Sequence, residues 1–243
     1  MRLKISYKVS KIPSSYRMMM VSLIKKALSD YNPQLFEQLY YYDKTIKNKK
    51  SKDFTFSVFI NNYRKNGDEF ITDEISLNIS SPNKQLILHF YNALLRLKEF
   101  SYNNTYALKK KEVKIIHSKS IKSNPIVFKT MSPIVVKNEN GDFLDIYDAE
   151  YVECLNHIVD VSLKNYRGVG LTAPIEFVPI DMKKVVAKES IKSFKERTLK
   201  SHIYINSYKG VFALKGSILD LNDIYMLGLG FRRNQGFGMI DLV

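Results

Sequence analysis

A strand, a helix, two strands, a helix and a strand can be read from hydrophobic spacing between Met1 and His117, and the order recurs between Ile126 and Val243. In the first stretch Leu3, Ile5 and Tyr7 alternate with Arg2, Lys4 and Ser6, the period of two expected of a strand over Met1 to Val9. Ser14-Ser15 opens a helix with Met20, Leu23, Ile24, Ala27 and Leu28 at helical spacing, closing near Asp30 ahead of Asn32-Pro33. Leu35 to Tyr42 predicts a short further helical turn, and Lys44 to Lys52 a basic loop poor in apolar residues. Phe54 to Ile60 predicts a strand, with Glu69 to Ile79 as its hairpin partner across Asn66-Gly67-Asp68. Ser81-Pro82 predicts the cap of a helix carrying Leu86, Phe90, Ala93, Leu94 and Leu97, and Glu112 to His117 the last strand.

The second stretch predicts extended chain over Ile126 to Lys137 and a helix from about Asp148 to Asn165 with Tyr151, Leu155, Ile158 and Val159 on one face. Strands follow at Leu171 to Met182 and Ile203 to Leu214, then a short helix from Leu219 to Leu227 and a final strand from Met239 to Val243. A linker is expected near Ser118 to Asn124. Twice β-α-β-β-α-β is an α+β chain of two tandem ferredoxin-like domains, residues 1–120 and 121–243.

Between the last helix and the last strand lies a loop with four glycines in eleven positions, Gly228, Gly230, Gly236 and Gly238, around Arg232, Arg233, Asn234 and Gln235. Glycine permits positive φ and close backbone approach, and arginine offers a planar fork of donors that fits phosphate. Such a loop is suited to an anion held close to the main chain. It lacks Gly-Lys-Ser/Thr, which excludes a P-loop, and it precedes a strand where a dinucleotide fingerprint would open a helix. The plainer reading is a helix C-cap followed by a β-bulge, for which two glycines would suffice.

Charge points the same way. The 243 residues hold 38 Lys and Arg against 24 Asp and Glu, a net +14, which favours polyanions such as nucleic acid. A lysine-rich, AT-biased genome would also yield many lysines. One cysteine, Cys154, precludes an internal disulfide framework and suits a reducing cytoplasm. The start of the chain has no signal-peptide pattern, and no run approaches the ~18 apolar residues of a membrane span. Cytoplasmic location with no membrane partner is expected.

His89, His117, His157 and His202 stand far apart without metal-ligand spacing, so each reads as a surface or half-buried structural residue, and no metal or cofactor is expected. Cys154 reads as a packing residue. Lys44, Lys47, Lys49, Lys50 and Lys52 form a cationic loop beside Tyr40-Tyr41-Tyr42, suited to phosphates and to stacking on unpaired bases. Lys109-Lys110-Lys111 with Lys114 is a second patch, which reads equally as a solvated charged face.

The glycine loop in its setting resembles the C-terminal signature of the CRISPR-associated repeat endoribonucleases, the Cas-six family of RNA-processing RAMP proteins. The opening strand and helix ending at Asn32-Pro33, Phe54-Thr-Phe-Ser57 preceded by Lys52, and Met131-Ser-Pro-Ile134 agree with it. The resemblance implies two RRM-like domains that bind CRISPR repeat RNA. It also implies metal-independent cleavage, in which the 2′-hydroxyl attacks the adjacent phosphorus to leave a 2′,3′-cyclic phosphate and a 5′-hydroxyl. Repeat RNA (pre-crRNA) would be the partner, along with a homodimer mate or a CRISPR effector complex.

Family sites place a histidine after a leucine ahead of the Phe-Thr-Phe-Ser strand, helped by a helical tyrosine and by a lysine just before that strand. Here Tyr40 follows Leu39 at the histidine position, Lys25 stands near the tyrosine position, and Lys52 is in place. Tyrosine is almost wholly protonated at neutral pH, and losing an acid–base group costs on the order of 10²–10⁴ in rate. Tyr40, Lys25 and Lys52 are therefore the catalytic candidates, with reduced activity expected unless the lysines depress the phenol. The RNA-binding candidates are Gly228, Gly230, Arg232, Arg233, Asn234, Gln235, Gly236, Gly238, Lys47, Lys49 and Lys50. Two other readings stay open: a guide-RNA-binding subunit without catalysis, and an RNA-binding protein of unrelated function.

Overall fold

Alternation in the first strand builds the first sheet. In the computed structural model, which describes residues 1–42, 46–190, 198 and 201–243, strand β1 (Arg2–Lys8) buries Leu3, Ile5 and Tyr7 on one face. It lies between β3 (Glu74–Ser80) and β4 (Tyr106–Ile116), with β2 (Thr55–Ile60) beyond β3 and a short edge strand, Glu99–Tyr102, beyond β4. All neighbours are antiparallel. Helix α1 (Tyr16–Tyr31) covers the buried face with Met19, Met20, Leu23, Ile24 and Leu28, and α3 (Lys84–Arg96) adds Leu86, Ile87, Phe90 and Leu94. Each such side chain contributes roughly 1.5–3 kcal/mol by leaving water. Between them α2 (Pro33–Tyr40) starts at Asn32, whose Oδ1 accepts from the Leu35 N–H at 3.0 Å while Pro33 occupies the first turn, where its missing N–H costs nothing.

The second half repeats the arrangement. Strands β5 (Ile126–Thr130), β6 (Glu176–Glu189), β7 (Ile203–Lys215) and β8 (Ile240–Leu242) lie in the order β6-β7-β5-β8, matching β2-β3-β1-β4 position for position. Helices α4 (Tyr151–Arg167) and α5 (Ile218–Leu227) pack on this sheet, burying Tyr151, Leu155, Leu163, Leu221 and Ile224 against Phe128, Phe177 and Phe212. The described residues thus form a mixed α/β protein with two main antiparallel sheets and two separate main cores.

Several sequence expectations shift. The segment expected as one hairpin strand, Glu69 to Ile79, is divided. Glu69–Ile71 joins a small sheet with Lys11–Pro13 and Arg64–Asn66, and only β3 enters the main sheet. Thr72 marks the break, its hydroxyl donating to the carbonyls of Asn61 and Glu74 in place of a ladder bond. The cap of α3 is Asn83, whose Oδ1 accepts from the Leu86 N–H at 3.0 Å. Ser81 instead accepts from the Asn83 N–H and donates to the Asp53 carbonyl. Strand β4 begins at Tyr106, six residues before the expected start, because its cross-strand partners hold a lysine-rich stretch extended. The helical turn expected over Leu35 to Tyr42 ends at Tyr40, and Tyr41–Tyr42 is extended and pairs with Ile46–Lys47 of the expected loop; Lys44 lies outside the described residues. In the expected linker Ile121 is buried, its N–H donating to Asn222 Oδ1 at 2.9 Å.

Candidate nucleic-acid interface

The loop from Gly228 to Gly238 closes on itself and then inserts between the two halves. Its ends meet where the Leu229 N–H donates to the Gly238 carbonyl at 2.8 Å. Gly238 has φ +69°, and a Cβ there would stand 2.0 Å from the Leu229 carbonyl oxygen, so the pairing requires glycine. Gly236, at φ +82°, lets the loop press on the Phe56 ring, which a Cβ would meet at 2.8 Å. Gly228 and Gly230 also have positive φ. Arg232 takes up the left-handed region at φ +60° without being glycine, a strain of roughly 1–2 kcal/mol that is commonest at functional sites.

The two arginines face different ways. Arg233 is 3% exposed, and its Nη1 and Nη2 donate to the Leu227 carbonyl and to Ser51 Oγ, each at 2.6 Å. Asn234 is likewise occupied within the protein. Its Oδ1 accepts from the Lys52 N–H at 2.7 Å, and its Nδ2 donates to the carbonyls of Lys52, at 3.1 Å, and Phe54. Arg233 and Asn234, expected to face a ligand, instead hold the segment that carries Lys52. Arg232 remains half-buried at a cleft, with Nη1 donating to Gln235 Oε1 at 2.6 Å and the buried Nε left without a partner. Nothing in the local sequence separates Arg232 from Arg233, because the side-chain partner that turns Arg233 inward, Ser51, lies far back along the chain.

That cleft has a volume of about 850 Å³. The first half contributes Lys25, Tyr40, Lys49, Lys50 and Lys52; the loop contributes Gly230 and Phe231 to Gln235; Lys137 and the α4 face carrying His157, Val161 and Asn165 complete it. Gly228, Gly236 and Gly238 shape the loop without lining the cleft, and Lys47 is exposed outside it. No carboxylate is among the lining residues. The patch at Lys109 to Lys114 is elsewhere, with Lys109, Lys111 and Lys114 paired to Glu99, Glu74 and Glu112.

At one end Lys25 Nζ sits 4.5 Å and Lys52 Nζ 5.9 Å from the centre of the Tyr40 ring, the geometry of cation–π attraction. Lys52 is 7% exposed and donates to the carbonyls of Asn48 at 2.9 Å and Lys50 at 2.6 Å. Burial, reinforced by the nearby Lys25 charge, pushes its ammonium down to about 8. Burial also lowers Lys25, with Lys47 adding to the effect. The Tyr40 phenol moves the other way, raised by burial well above its ordinary range. The lysines therefore do not depress it, and Tyr40 presents the face of its ring to two ammonium groups. Lys137, with Nζ 4.4 Å from the Phe231 ring, has no local motif in the sequence, and His157, read from sequence as a surface or half-buried structural residue, lines the cleft.

Residues 108–242 match the family model described as CRISPR associated protein Cas6, C-terminal. The chain belongs to the Cas6 family. Among its relatives, a CRISPR-associated endoribonuclease-like protein Cas6 of Pyrococcus furiosus is 30% identical over 188 residues, covering 73% of this chain and 71% of the relative. The CRISPR-associated endoribonuclease Cas6 1 of Methanocaldococcus jannaschii is 26% identical over 240 residues, covering 94% and 86%. The fold is shared with a solved RAMP protein binding different RNA substrates, at a TM-score of 0.81 and 22% identity, covering 100% of this chain and 99% of that one. The product of a Cas6-related gene from Pyrococcus furiosus gives a TM-score of 0.79 at 24% identity with the same coverage.

Proposed function

We propose that this Cas6-family chain is a CRISPR repeat-RNA endoribonuclease built of two ferredoxin-like domains, residues 1–120 and 121–243, with its active site at the Lys25–Tyr40–Lys52 end of the cleft. The observation that carries this reading is a cleft lined by the cations Lys25, Lys49, Lys50, Lys52, Lys137 and Arg232, with the inward-turned Arg233 behind them, and by no carboxylate. Such a surface suits a phosphodiester backbone.

Two amines of lowered pKa, the buried Lys52 and the half-buried Lys25, supply the chemistry. With its ammonium near 8, Lys52 exists partly as the neutral amine at neutral pH and takes the proton of the attacking 2′-hydroxyl. Lys25, as its ammonium form, steadies the negative charge that builds on the phosphorane oxygens. The 2′-oxygen forms a bond to phosphorus as the bond to the 5′-oxygen breaks, leaving a cyclic phosphate and a 5′-hydroxyl. Tyr40 holds the two ammonium groups through its ring. Arg232, Gln235, Lys49 and Lys50 hold the strand, the Gly230 region lets it approach the main chain, and Lys47 attracts it from outside. Arg233 and Asn234 position Lys52.

The test is cleavage of end-labelled repeat RNA in EDTA by the protein and by Lys52→Ala. A single cut with a cyclic-phosphate end, reduced on the order of 100-fold or more in Lys52→Ala, supports the reading. Tight repeat binding without cutting would support the second one, a guide-RNA-binding subunit. The raised Tyr40 phenol at the family's histidine position favours that alternative.

A further inference from the structure

The cleft has two walls, and the chemistry described so far uses only one. Lys25 and Lys52 belong to the first half, while the other wall is the solvent-facing side of α4, where His157 lies one turn before Val161. His157 is exposed, makes no hydrogen bond to the described residues, and is the one histidine among those lining the cleft. The other three are placed elsewhere: His89 lies 6.1 Å from the Tyr31 ring, His202 pairs with Ser201 Oγ at 2.8 Å, and His117 is exposed beyond β4.

In-line displacement at phosphorus sets the nucleophile and the leaving oxygen on opposite sides of the phosphorus. A base for one and an acid for the other must therefore approach from opposite directions, which two walls of one cleft provide. Imidazole is the side chain best suited to giving a proton near neutrality. We propose that His157 is a catalytic residue, the general acid that protonates the departing 5′-oxygen. This rests on the cleavage reading above.

The step balances. Lys52 takes the 2′-hydroxyl proton as the 2′-oxygen bonds to phosphorus. The P–O5′ bond breaks, and the 5′-oxygen receives a proton from the His157 imidazolium. Solvent then returns the proton held by Lys52 to the imidazole, with no oxidant, reductant or further reactant needed. A histidine supplied from the second half would also explain how the cleft does without one at position 40.

The test uses repeat RNA whose scissile 5′-oxygen is replaced by sulfur, at the bond mapped in the cleavage assay. A thiolate leaves without being protonated, so it removes the need for an acid. With ordinary RNA, His157→Ala and His157→Gln should each lose on the order of 100-fold or more in single-turnover rate. Binding should stay within a few-fold. With the sulfur-containing RNA both variants should match the unsubstituted protein, while Lys52→Ala stays slow on both. The assignment is overturned if the His157 variants cleave ordinary RNA at the unsubstituted rate, or lose binding alone, or lose equally on both RNAs. If the unsubstituted protein leaves ordinary RNA intact, the cleavage reading itself falls and His157 falls with it.

Discussion

Two neighbouring side chains, Lys52 and Tyr40, share one environment and respond to it in opposite directions. Burial disfavours charge, so it lowers the lysine ammonium and raises the phenol. If Lys52 is the base, cleavage by His157→Gln, in which no imidazole titrates alongside it, should climb as pH rises toward about 8, and a pH–rate profile of that variant with and without Lys25→Ala would locate that limb. The same shift has a stability consequence. Between about 8 and the ordinary lysine value of 10.5, the unfolded chain binds a proton that the folded chain does not, so stability rises with pH across that window. Below it the cost of a buried ammonium is present in full. Lys52→Met should flatten the rise, read as urea midpoints at the two ends of the window. For Tyr40 the ring matters and the hydroxyl does not: Tyr40→Phe should keep the cleavage rate within a few-fold, whereas Tyr40→Ala loses the cation–π platform and much of the rate. Equal losses in both would contradict the platform role.

At the scale of elements, the glycine loop works chiefly as a clamp. Asn234 makes paired bonds to the main chain of Lys52 and reaches Phe54, acting as an extra rung beside β2. Asn234→Ala would leave the buried Lys52 N–H unmatched, at a cost of roughly 1–3 kcal/mol in chemical denaturation. Cleavage should fall by more than that instability explains, because Lys52 loses its placement. Gly238→Ala should destabilise severely, since the new methyl would meet the Leu229 carbonyl. The glycine spacing was legible in the sequence as a loop built for close approach. The identity of what approaches was not: it includes the protein's own atoms, the side chains of Thr55 and Phe56 and the carbonyl of Val135.

Across the whole molecule, buried charge ties the halves together. Arg17 of α1 donates to the Gly236 carbonyl at 3.2 Å, pairs with Glu189 of β6 at 2.9 Å and lies over the Phe237 ring. Arg2 of β1 bonds Asp241 and the Ile240 carbonyl and stacks on Tyr225. Arg17→Ala would strand Glu189 in the interior and should cost about 3–5 kcal/mol, with Glu189→Gln milder. On the proposed reading the lining cations also act together on RNA. Six of them reach the cleft once the inward-turned Arg233 is left out, so the logarithm of affinity should fall against the logarithm of salt with a slope near −4. Lys137→Ala should reduce that slope by about 0.7. No helix among the described residues is long and apolar enough to cross a membrane.

The repeated element order, the helix faces of Met20 to Leu28 and Leu86 to Leu94, and the cationic character of the chain followed from sequence alone. Each depends on neighbours within a few positions: alternation for strands, helical spacing for helices, summed charge for the choice of a polyanion. The division of Glu69 to Ile79, the early start of β4 at Tyr106 and the inward turn of Arg233 were decided by tertiary structure. In the first and third a local preference is overruled by a partner far along the chain, and in the second by the hairpin partner Glu99–Tyr102 and then by β1. The cleft belongs to the same class. Its wall residues come from α1, the segment before β2, α4 and the loop after α5, and only packing of the two halves brings His157 to the cleft that Lys52 lines. Burial, which moves the pKa values of Lys52 and Tyr40 apart, arises only with that packing.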